Sequence, residues 1–412
     1  MQLQQSVFQY PTSFLQVVEW LLKERPFEPV EDNYARWLLY LGKVSGYEKV
    51  ERAFEDIPSE FQNDMVYCRL FDVALFNNKL TKAIGVMKRM RKQELPVPVY
   101  MFNNLITYYA RNSLLYKLPG LLRLMEEQDI PYNLQTYNTL LSLTSKRADL
   151  EHMEEVWGLL QADDCMKPDF VSYSILASAY FFAGQHKKSL SAARKAERHL
   201  RGKGLTVLML KKLIVMNGLL KQGESVSRIY RKLKALPGKT SVFSYTSVIE
   251  AYGEAGLVDK AEEVMQEMEL QCNMQHLVQY NTMIGVYCKN GMVRNAEEVL
   301  EKLLTNHKPD IVTHSHFLLG YLKSEEYERA LQKLNALVNL VKGCKFDWFV
   351  FGSRSWLLSI HSAIGLFAER GDKEHANLLL TTLQETDTES FPSSYKFLTN
   401  VYEQSFGCAW ER

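Results

Sequence analysis

Cysteine is scarce and scattered in this 412-residue chain: Cys68, Cys165, Cys272, Cys288, Cys344 and Cys408, no two of them in a Cys-x-x-Cys pair. That spacing argues against a thiol redox motif or a cysteine zinc finger and reads as small buried hydrophobes in a reducing compartment. Long apolar runs are missing as well. None reaches the roughly 18 residues that a membrane-spanning helix needs, so no membrane partner is expected. Neither sign of charge is in surplus, with 49 Lys and Arg against 48 Asp and Glu for a formal net charge of +1. A uniformly basic nucleic-acid binder is thereby disfavoured, although a basic stripe on one face fits within a neutral total. Met1 to Pro11 lacks the Arg- and Ser-rich composition of an organellar transit peptide. What is there suits a folded chain, 46% hydrophobic and 24% charged, and its length calls for several domains or one repeat array.

Internal repetition decides between the two. Phe102-Asn-Asn-Leu-Ile, Tyr137-Asn-Thr-Leu-Leu, Tyr245-Thr-Ser-Val-Ile and Tyr280-Asn-Thr-Met-Ile each set an aromatic before a polar residue, a spacer and two aliphatics. Extended along the chain, this anchor falls at Tyr34, Tyr67, Phe102, Tyr137, Tyr173, Leu210, Tyr245, Tyr280, His314, Ile360 and Tyr395. The steps are 33, 35, 35, 36, 37, 35, 35, 34, 46 and 35 residues. Eleven residues past the anchor a turn residue recurs, at Asn78, Gly184, Gly256, Gly291 and Gly371. Five further on stands a small residue suited to a close helix crossing: Ala83, Ser189, Ala261, Ala296, Ala330 and Ala376. In the Leu210 copy the glycine, Gly223, comes two residues late, and the His314 and Ile360 copies lack the aromatic.

Each copy reads as two helices. Tyr245, Val248, Ile249 and Tyr252 share one helical face, Gly256 ends that helix, and Ala261, Val264, Met265 and Met268 form the apolar face of a second. Prolines near 58, 96, 131, 168, 237 and 309 block continuation between copies. The expected fold is all-α, a solenoid of about ten helix-turn-helix repeats of ~35 residues, because one helix pair cannot bury both its faces alone. The expected segments are 1–30, an N-terminal cap with a degenerate leading repeat; 31–344, the array; 345–356, an aromatic insertion; and 357–412, C-terminal repeats and cap. Within the insertion, Lys345-Phe-Asp-Trp348-Phe-Val-Phe351 reads either as a docking surface or as an extra helical turn packed on the last repeats.

Pro168-Asp-Phe-Val-Ser-Tyr-Ser-Ile-Leu, Pro309-Asp-Ile-Val-Thr-His-Ser and Gly256-Leu-Val-Asp-Lys-Ala-Glu-Glu-Val-Met-Gln-Glu-Met resemble the consensus of pentatricopeptide repeats. The uniform spacing resembles the P class of plant mitochondria and chloroplasts. The resemblance implies a right-handed superhelix that binds RNA at one base per repeat. It implies two reading positions, the residue after the anchor and the last residue of the repeat. Here these pair Asn103 with Asn133, Asn138 with Asp169, Ser174 with Thr206, Thr246 with His276 and Asn281 with Asp310. By the same resemblance Asn138/Asp169 and Asn281/Asp310 favour uridine, and Asn103/Asn133 a pyrimidine. Two residues before the anchor stand Tyr100, Val171, Phe243, Val278 and Val312, which either sandwich bases or belong to the core. An Asn after the aromatic has a second reading, as a cap on helix-start amides. The pairs Ala35/Asn63, Cys68/Pro98, Lys211/Ser241 and His361/Phe391 carry no usable code.

Catalytic and metal signatures are absent: there is no His-x-Glu with a later Cys-x-x-Cys, His314-Ser-His316 has no further ligand nearby, and Gly202-Lys-Gly204 is a loop and not a phosphate cradle. No enzyme activity, cofactor, metal or small-molecule substrate is expected. Three readings stay open. One is a free factor on single-stranded organellar RNA. Another is a structural subunit of a mitochondrial ribosome, contacting ribosomal RNA and ribosomal proteins. The last is a helical scaffold for protein partners with no RNA role. The first two place the chain in the mitochondrial matrix or the chloroplast stroma.

Overall fold

The computed structural model describes residues 30–342, apart from Ser113, 147–148, 201–205, 239 and 273–275, then 355–385, and single positions towards either end. Among these residues there are twenty α-helices and no strand. In chain order they are α1 (Glu31–Ser45), α2 (Tyr47–Glu55), α3 (Asp64–Phe76), α4 (Leu80–Lys92), α5 (Val99–Arg111), α6 (Leu118–Glu127), α7 (Leu134–Lys146), α8 (Leu150–Ala162), α9 (Phe170–Phe182) and α10 (His186–Arg198). There follow α11 (Val207–Leu219), α12 (Gly223–Lys234), α13 (Val242–Glu254), α14 (Val258–Gln271), α15 (Leu277–Lys289), α16 (Val293–Leu304), α17 (Ile311–Lys323), α18 (Tyr327–Lys342), α19 (Ser355–Glu369) and α20 (Lys373–Glu385). Each odd-numbered helix opens a repeat and the next even one closes it. The aromatic stretch Lys345 to Phe351, the Gly202–Gly204 loop and nearly all of the expected N-terminal cap lie outside the described residues.

Two compact units divide the chain, Met1–Leu140 and Leu141–Arg412. In the first, α1 and α3 pack side by side, and Leu38, Phe54, Tyr67, Phe71 and Phe102 are buried. In the second, the opening helices α11, α13, α15, α17 and α19 stack in succession as one layer, with the closing helices packed beside them. One hydrophobic core runs through this unit from Phe170 to Tyr402.

The period has a physical cause at each landmark. The turn residue sits just past the opening helix with a left-handed backbone: φ is 57° at Asn78, 72° at Gly184, 74° at Gly256, 75° at Gly291 and 72° at Gly371. That conformation closes the last turn of the helix and reverses the chain into its partner. In the Leu210 copy the sequence pointed to Gly223, but the left-handed residue is Lys221, at φ 57°, in the regular position. Gly223 instead begins α12, where Leu257 lies against it and leaves no room for a Cβ. The small residues Ala83, Ser189, Ala261, Ala296, Ala330 and Ala376 are all buried, as close helix crossing requires.

A second tie recurs in the Leu141–Arg412 unit. Tyrosines seven residues past the anchor reach from an opening helix to the closing helix before it: Tyr180 to Glu154 (3.4 Å), Tyr252 to Ser227 (2.9 Å), Tyr287 to Glu262 (2.7 Å) and Tyr321 to Glu297 (2.7 Å). A cation from the repeat's own closing helix covers three of these rings, Lys188 on Tyr180, Lys260 on Tyr252 and Arg329 on Tyr321. Burial, reinforced by the carboxylates, raises the phenols of Tyr287 and Tyr321 well above the usual range, so both stay donors. Each bond contributes about 1 kcal/mol to holding neighbouring repeats together.

Candidate nucleic-acid interface

The last residue of a repeat is the N-cap of the next opening helix. Asn63 accepts from Val66 N (3.2 Å), Asn133 from Thr136 N (2.9 Å), Asp169 from Ser172 N (2.9 Å), Thr206 from Met209 N (3.3 Å), Ser241 from Ser244 N (3.3 Å) and Asp310 from Thr313 N (2.9 Å). The sequence reading placed the alternative capping role on the residue after the aromatic, and here it is corrected. Asn103 and Asn281 lie a full turn inside α5 and α15, because those helices begin at Val99 and Leu277, three residues before the anchor. Capping belongs to the other member of each pair.

The pair Asn281 and Asp310 is joined directly. Asn281 Nδ2 donates to Asp310 Oδ1 (2.9 Å), and Thr313 Oγ1 donates to Asn281 Oδ1 (2.7 Å) while accepting from Asp310 N (3.1 Å). A carboxylate only accepts, so Asn281 must turn its NH2 towards Asp310 and its carbonyl towards the threonine hydroxyl. Asn281 is 5% exposed and Thr313 1%. The Met1–Leu140 unit repeats the arrangement with an amide in place of the acid. Asn133 Oδ1 receives Thr136 N, Thr136 Oγ1 (3.0 Å) and Asn103 Nδ2 (3.3 Å). Three donors on one oxygen fix the Asn133 amide with its own NH2 pointing away from the cluster. Asn103 is 1% exposed, and its Oδ1 is buried without a hydrogen-bond partner among the described residues.

Two other expected pairs, Ser174/Thr206 and Thr246/His276, show no direct bond among the described residues. Ser174 Oγ donates to Phe170 O (2.7 Å) and Thr246 Oγ1 to Phe243 O (3.2 Å), each within its own helix, while Thr206 and His276 are exposed at caps. Asn138 is half-buried on α7, and Asp169 caps α9 with Ser172. Among the positions expected to sandwich bases, Phe243 is 57% exposed and Val278 38%, whereas Val312 is core and Val171 is half-buried against it. At the far end of the same helices Lys289 forms an ion pair with Glu254, and Lys323 Nζ donates to Lys289 O (2.5 Å). Burial lowers the ammonium groups of Lys211 and Lys323 below their ordinary range.

The histidine pair has a structural explanation. His316 is buried, with its Nδ1 2.9 Å from Ser359 Oγ, and burial, helped by Lys289, pushes its pKa down to about 3. Among the described residues no group of three His, Cys, Asp or Glu could hold a metal ion, and no helix is long and apolar enough to cross a membrane. Sequence reasoning missed the hydroxyls of Thr136 and Thr313. Their signal was present, a cap residue followed three positions later by Ser or Thr at Asn133-x-x-Thr136, Asp169-x-x-Ser172, Ser241-x-x-Ser244 and Asp310-x-x-Thr313.

Family profiles described as PPR repeat match residues 243–271 and 276–303, and one described as Pentatricopeptide repeat domain matches residues 120–181. The chain is a pentatricopeptide repeat protein. The first two matched spans are the hairpins α13–α14 and α15–α16, so the profile and the helix pairing agree on where a repeat begins. Two Arabidopsis thaliana pentatricopeptide repeat-containing proteins named as mitochondrial are similar. At1g07590 is 27% identical over 94% of this chain and 71% of its own length. At2g20710 is 28% identical over 62% of this chain and 52% of its own, so this chain spans about half of it. The structure of the pentatricopeptide repeat protein PPR10 in complex with an 18-nt psaJ RNA element matches with a TM-score of 0.56 at 19% identity, over 98% of this chain and 59% of that one. That likeness is one of fold.

Proposed function

We propose that this pentatricopeptide repeat protein binds single-stranded RNA, without catalysis, along the opening-helix layer of its repeats. The observation that carries the reading is the Asn281–Asp310–Thr313 network. With its amide oriented by the acid and the hydroxyl, Asn281 keeps one amide proton for a ligand, and the Asp310 carboxylate remains a pure acceptor. One donor beside one acceptor complements the pairing edge of uracil, which offers a carbonyl and an N–H. Cytosine sets a lone pair where uracil has its N–H and would face the carboxylate unfavourably. At the joined pair Asn103/Asn133, Asn133 turns its NH2 outward, which suits the acceptor groups of either pyrimidine. Phe243 on α13 and Val278, one turn before Asn281 on α15, are exposed and available for base stacking. That PPR10 was solved holding an RNA element supports the reading, and the names of the Arabidopsis relatives support a mitochondrial location, which for an RNA binder would be the matrix.

The test is selection from a randomised single-stranded RNA pool, comparing the wild type with Asp310→Asn. The wild type should enrich uridine at the position facing this repeat. The variant should shift that one position towards cytidine, by about tenfold, in line with the 1–3 kcal/mol typical of a matched polar contact. Retention of RNA with no sequence preference overturns base reading, and retention of no RNA by the wild type overturns the whole reading in favour of a protein-binding scaffold.

A second reading has its own support. Ala35 and Cys68 occupy reading positions without an amide or hydroxyl to pair with a base, and the Lys211/Ser241 pair carries no usable code, so several repeats offer no base contact. A chain of this kind suits a structural role in a mitochondrial ribosome, on ribosomal RNA and beside ribosomal proteins. Co-sedimentation with a ribosomal subunit in organelle extracts separates this role from that of a free factor.

A further inference from the structure

We infer that the closing-helix face between His186 and Lys234 is a second RNA-binding surface, one that grips the phosphate backbone of folded, double-helical RNA. The charge that the whole-chain total conceals is gathered here. On α10 and α12 together the sequence carries nine lysines and arginines and only two acids, Glu197 and Glu224, although the whole chain is close to neutral. On α10, Lys187, Arg194 and Arg198 are exposed and share one helical stripe, about 16 Å long at 1.5 Å per residue. On the neighbouring α12, Arg231 is exposed as well. None of these four forms an ion pair among the described residues.

Internal pairs hold this surface in place without neutralising it. Arg228 of α12 grips Glu197 of α10 through two bonds (2.9 and 2.8 Å), which consumes one of the two acids and aligns the helices. Lys234 pairs with Glu267 of α14 (3.2 Å). Between α12 and α14 opens a cleft of about 250 Å³ lined by Tyr230, Tyr252, Arg231 and Lys260 but also by the carboxylates of Glu263 and Glu267, so the phosphate contacts are assigned to the exposed stripe and not to this cleft. The surface lies on closing helices, whereas the reading positions lie on opening helices, so the two are separate.

The kind of polyanion follows from what accompanies the charge. No large hydrophobic side chain is exposed on α10 or α12. A protein partner needs an apolar, desolvated centre, and an anionic membrane needs apolar side chains to insert; phosphate contacts need neither. Single strands are held by stacking on exposed aromatics, which the α10 and α12 stripe also lacks. What remains is the backbone of a helix whose bases are already paired, read by charge and shape.

The experiment measures binding of the full chain to a blunt 20-base-pair RNA duplex and to a uridine-rich single strand across a salt series. The wild type should bind the duplex. The combination Lys187→Glu, Arg194→Glu, Arg198→Glu and Arg231→Glu should weaken duplex binding by about a hundredfold or more at low salt and flatten its logarithmic salt dependence by three to four, about 0.9 for each phosphate contact removed. Single-strand affinity should change by less than about threefold, because the reading face is elsewhere. If helicity or melting shows that the reversed variant is misfolded, the same four positions changed to Gln serve in its place. Unchanged duplex binding by the folded variant overturns the proposal, as does equal loss on the single strand, which would mean one shared path. Tighter capture by anionic phospholipid vesicles or by polyglutamate than by duplex also overturns it. A wild type that ignores single strands but holds the duplex would sink the opening-helix reading and leave this one standing.

Discussion

Thr313→Val is the sharpest test of the network that orders Asn281. The substitution keeps the volume and the branched Cβ and deletes only the hydroxyl, so no cavity opens. The hydroxyl's three contacts are lost: it accepts from Asp310 N at 3.1 Å, and its one proton is shared between Asn281 Oδ1 at 2.7 Å, the nearer acceptor, and Asp310 Oδ1 at 2.9 Å. The Asp310 carboxylate still receives Thr313 N, so the helix keeps its main cap. With Asn281 only 5% exposed, its carbonyl is left buried and unsatisfied, which costs about 1–3 kcal/mol. We expect a loss of about 2 kcal/mol, read as a lower urea midpoint and faster hydrogen exchange in α17, with Thr313→Ser retaining most of the stability. A double-mutant cycle sharpens the argument. Asn281→Leu removes the orphaned carbonyl, so the double variant should be less destabilised than the two singles summed, by about 1 kcal/mol. Additive losses, or a Thr313→Val protein within about 0.5 kcal/mol of wild type, would refute the network as a stabilising unit and with it the fixed orientation of the Asn281 amide.

Gly218→Ala should destabilise the Leu141–Arg412 unit by about 2 kcal/mol in chemical denaturation, since a Cβ there would lie 2.5 Å from Ala251 Cα and 2.7 Å from its carbonyl oxygen, forcing α11 and α13 apart. His316→Gln should flatten the fall in stability on acidification. Burial lowers the folded-state pKa of His316 from 6.5 to about 3, so the unfolded chain takes the proton first; its contribution is full above about 6.5 and is lost as the pH drops towards 3. Urea titrations at pH 6.5, 5.5 and 4.5 should show the wild type losing about 1.4 kcal/mol per pH unit more than the variant.

Much of the fold was legible in the sequence because the repeat imposes the same physical demand in each copy. Ala261, Ala296 and Ala330 are small for one reason, a close helix crossing, and Gly256 and Gly291 turn the chain for another. Where the pattern slipped, the geometry did not: Lys221 adopts the left-handed turn that Gly223 was expected to supply, since a backbone constraint of that size tolerates a side chain at modest cost. The reading pairs were legible only in part. Spacing identified Asn103/Asn133 and Asn281/Asp310, but helix position was misjudged by three residues, and that moved the capping role to the wrong partner. The basic surface on α10 and α12 was hidden because a whole-chain charge total averages it against acidic segments elsewhere, and only its position on exposed closing helices gives it meaning.

Under the proposed function, the last residue of a repeat would couple reading to folding. Asn133 and Asp310 cap α7 and α17, and replacing such a cap with an aliphatic residue costs about 1 kcal/mol of helix stability, whatever polar edge it offers a ligand. The good capping residues are Asn, Asp, Ser and Thr, and these four types fill the position at Asn63, Asn133, Asp169, Thr206, Ser241 and Asp310. The menu of readers is therefore limited first by helix initiation and only then by base chemistry. The opening-helix partner has no such duty: Asn103, Thr246 and Asn281 lie inside their helices, and at Ala35, Cys68 and Lys211 the same position holds residues poorly suited to a base edge. Under the proposed reading, Ala35 and Lys211 lack a reader where the cap partner Asn63 or Ser241 is kept, whereas at Cys68/Pro98 both members lack one. Repeats of this kind can go on stacking, and carrying charge on their closing helices, after they have stopped reading.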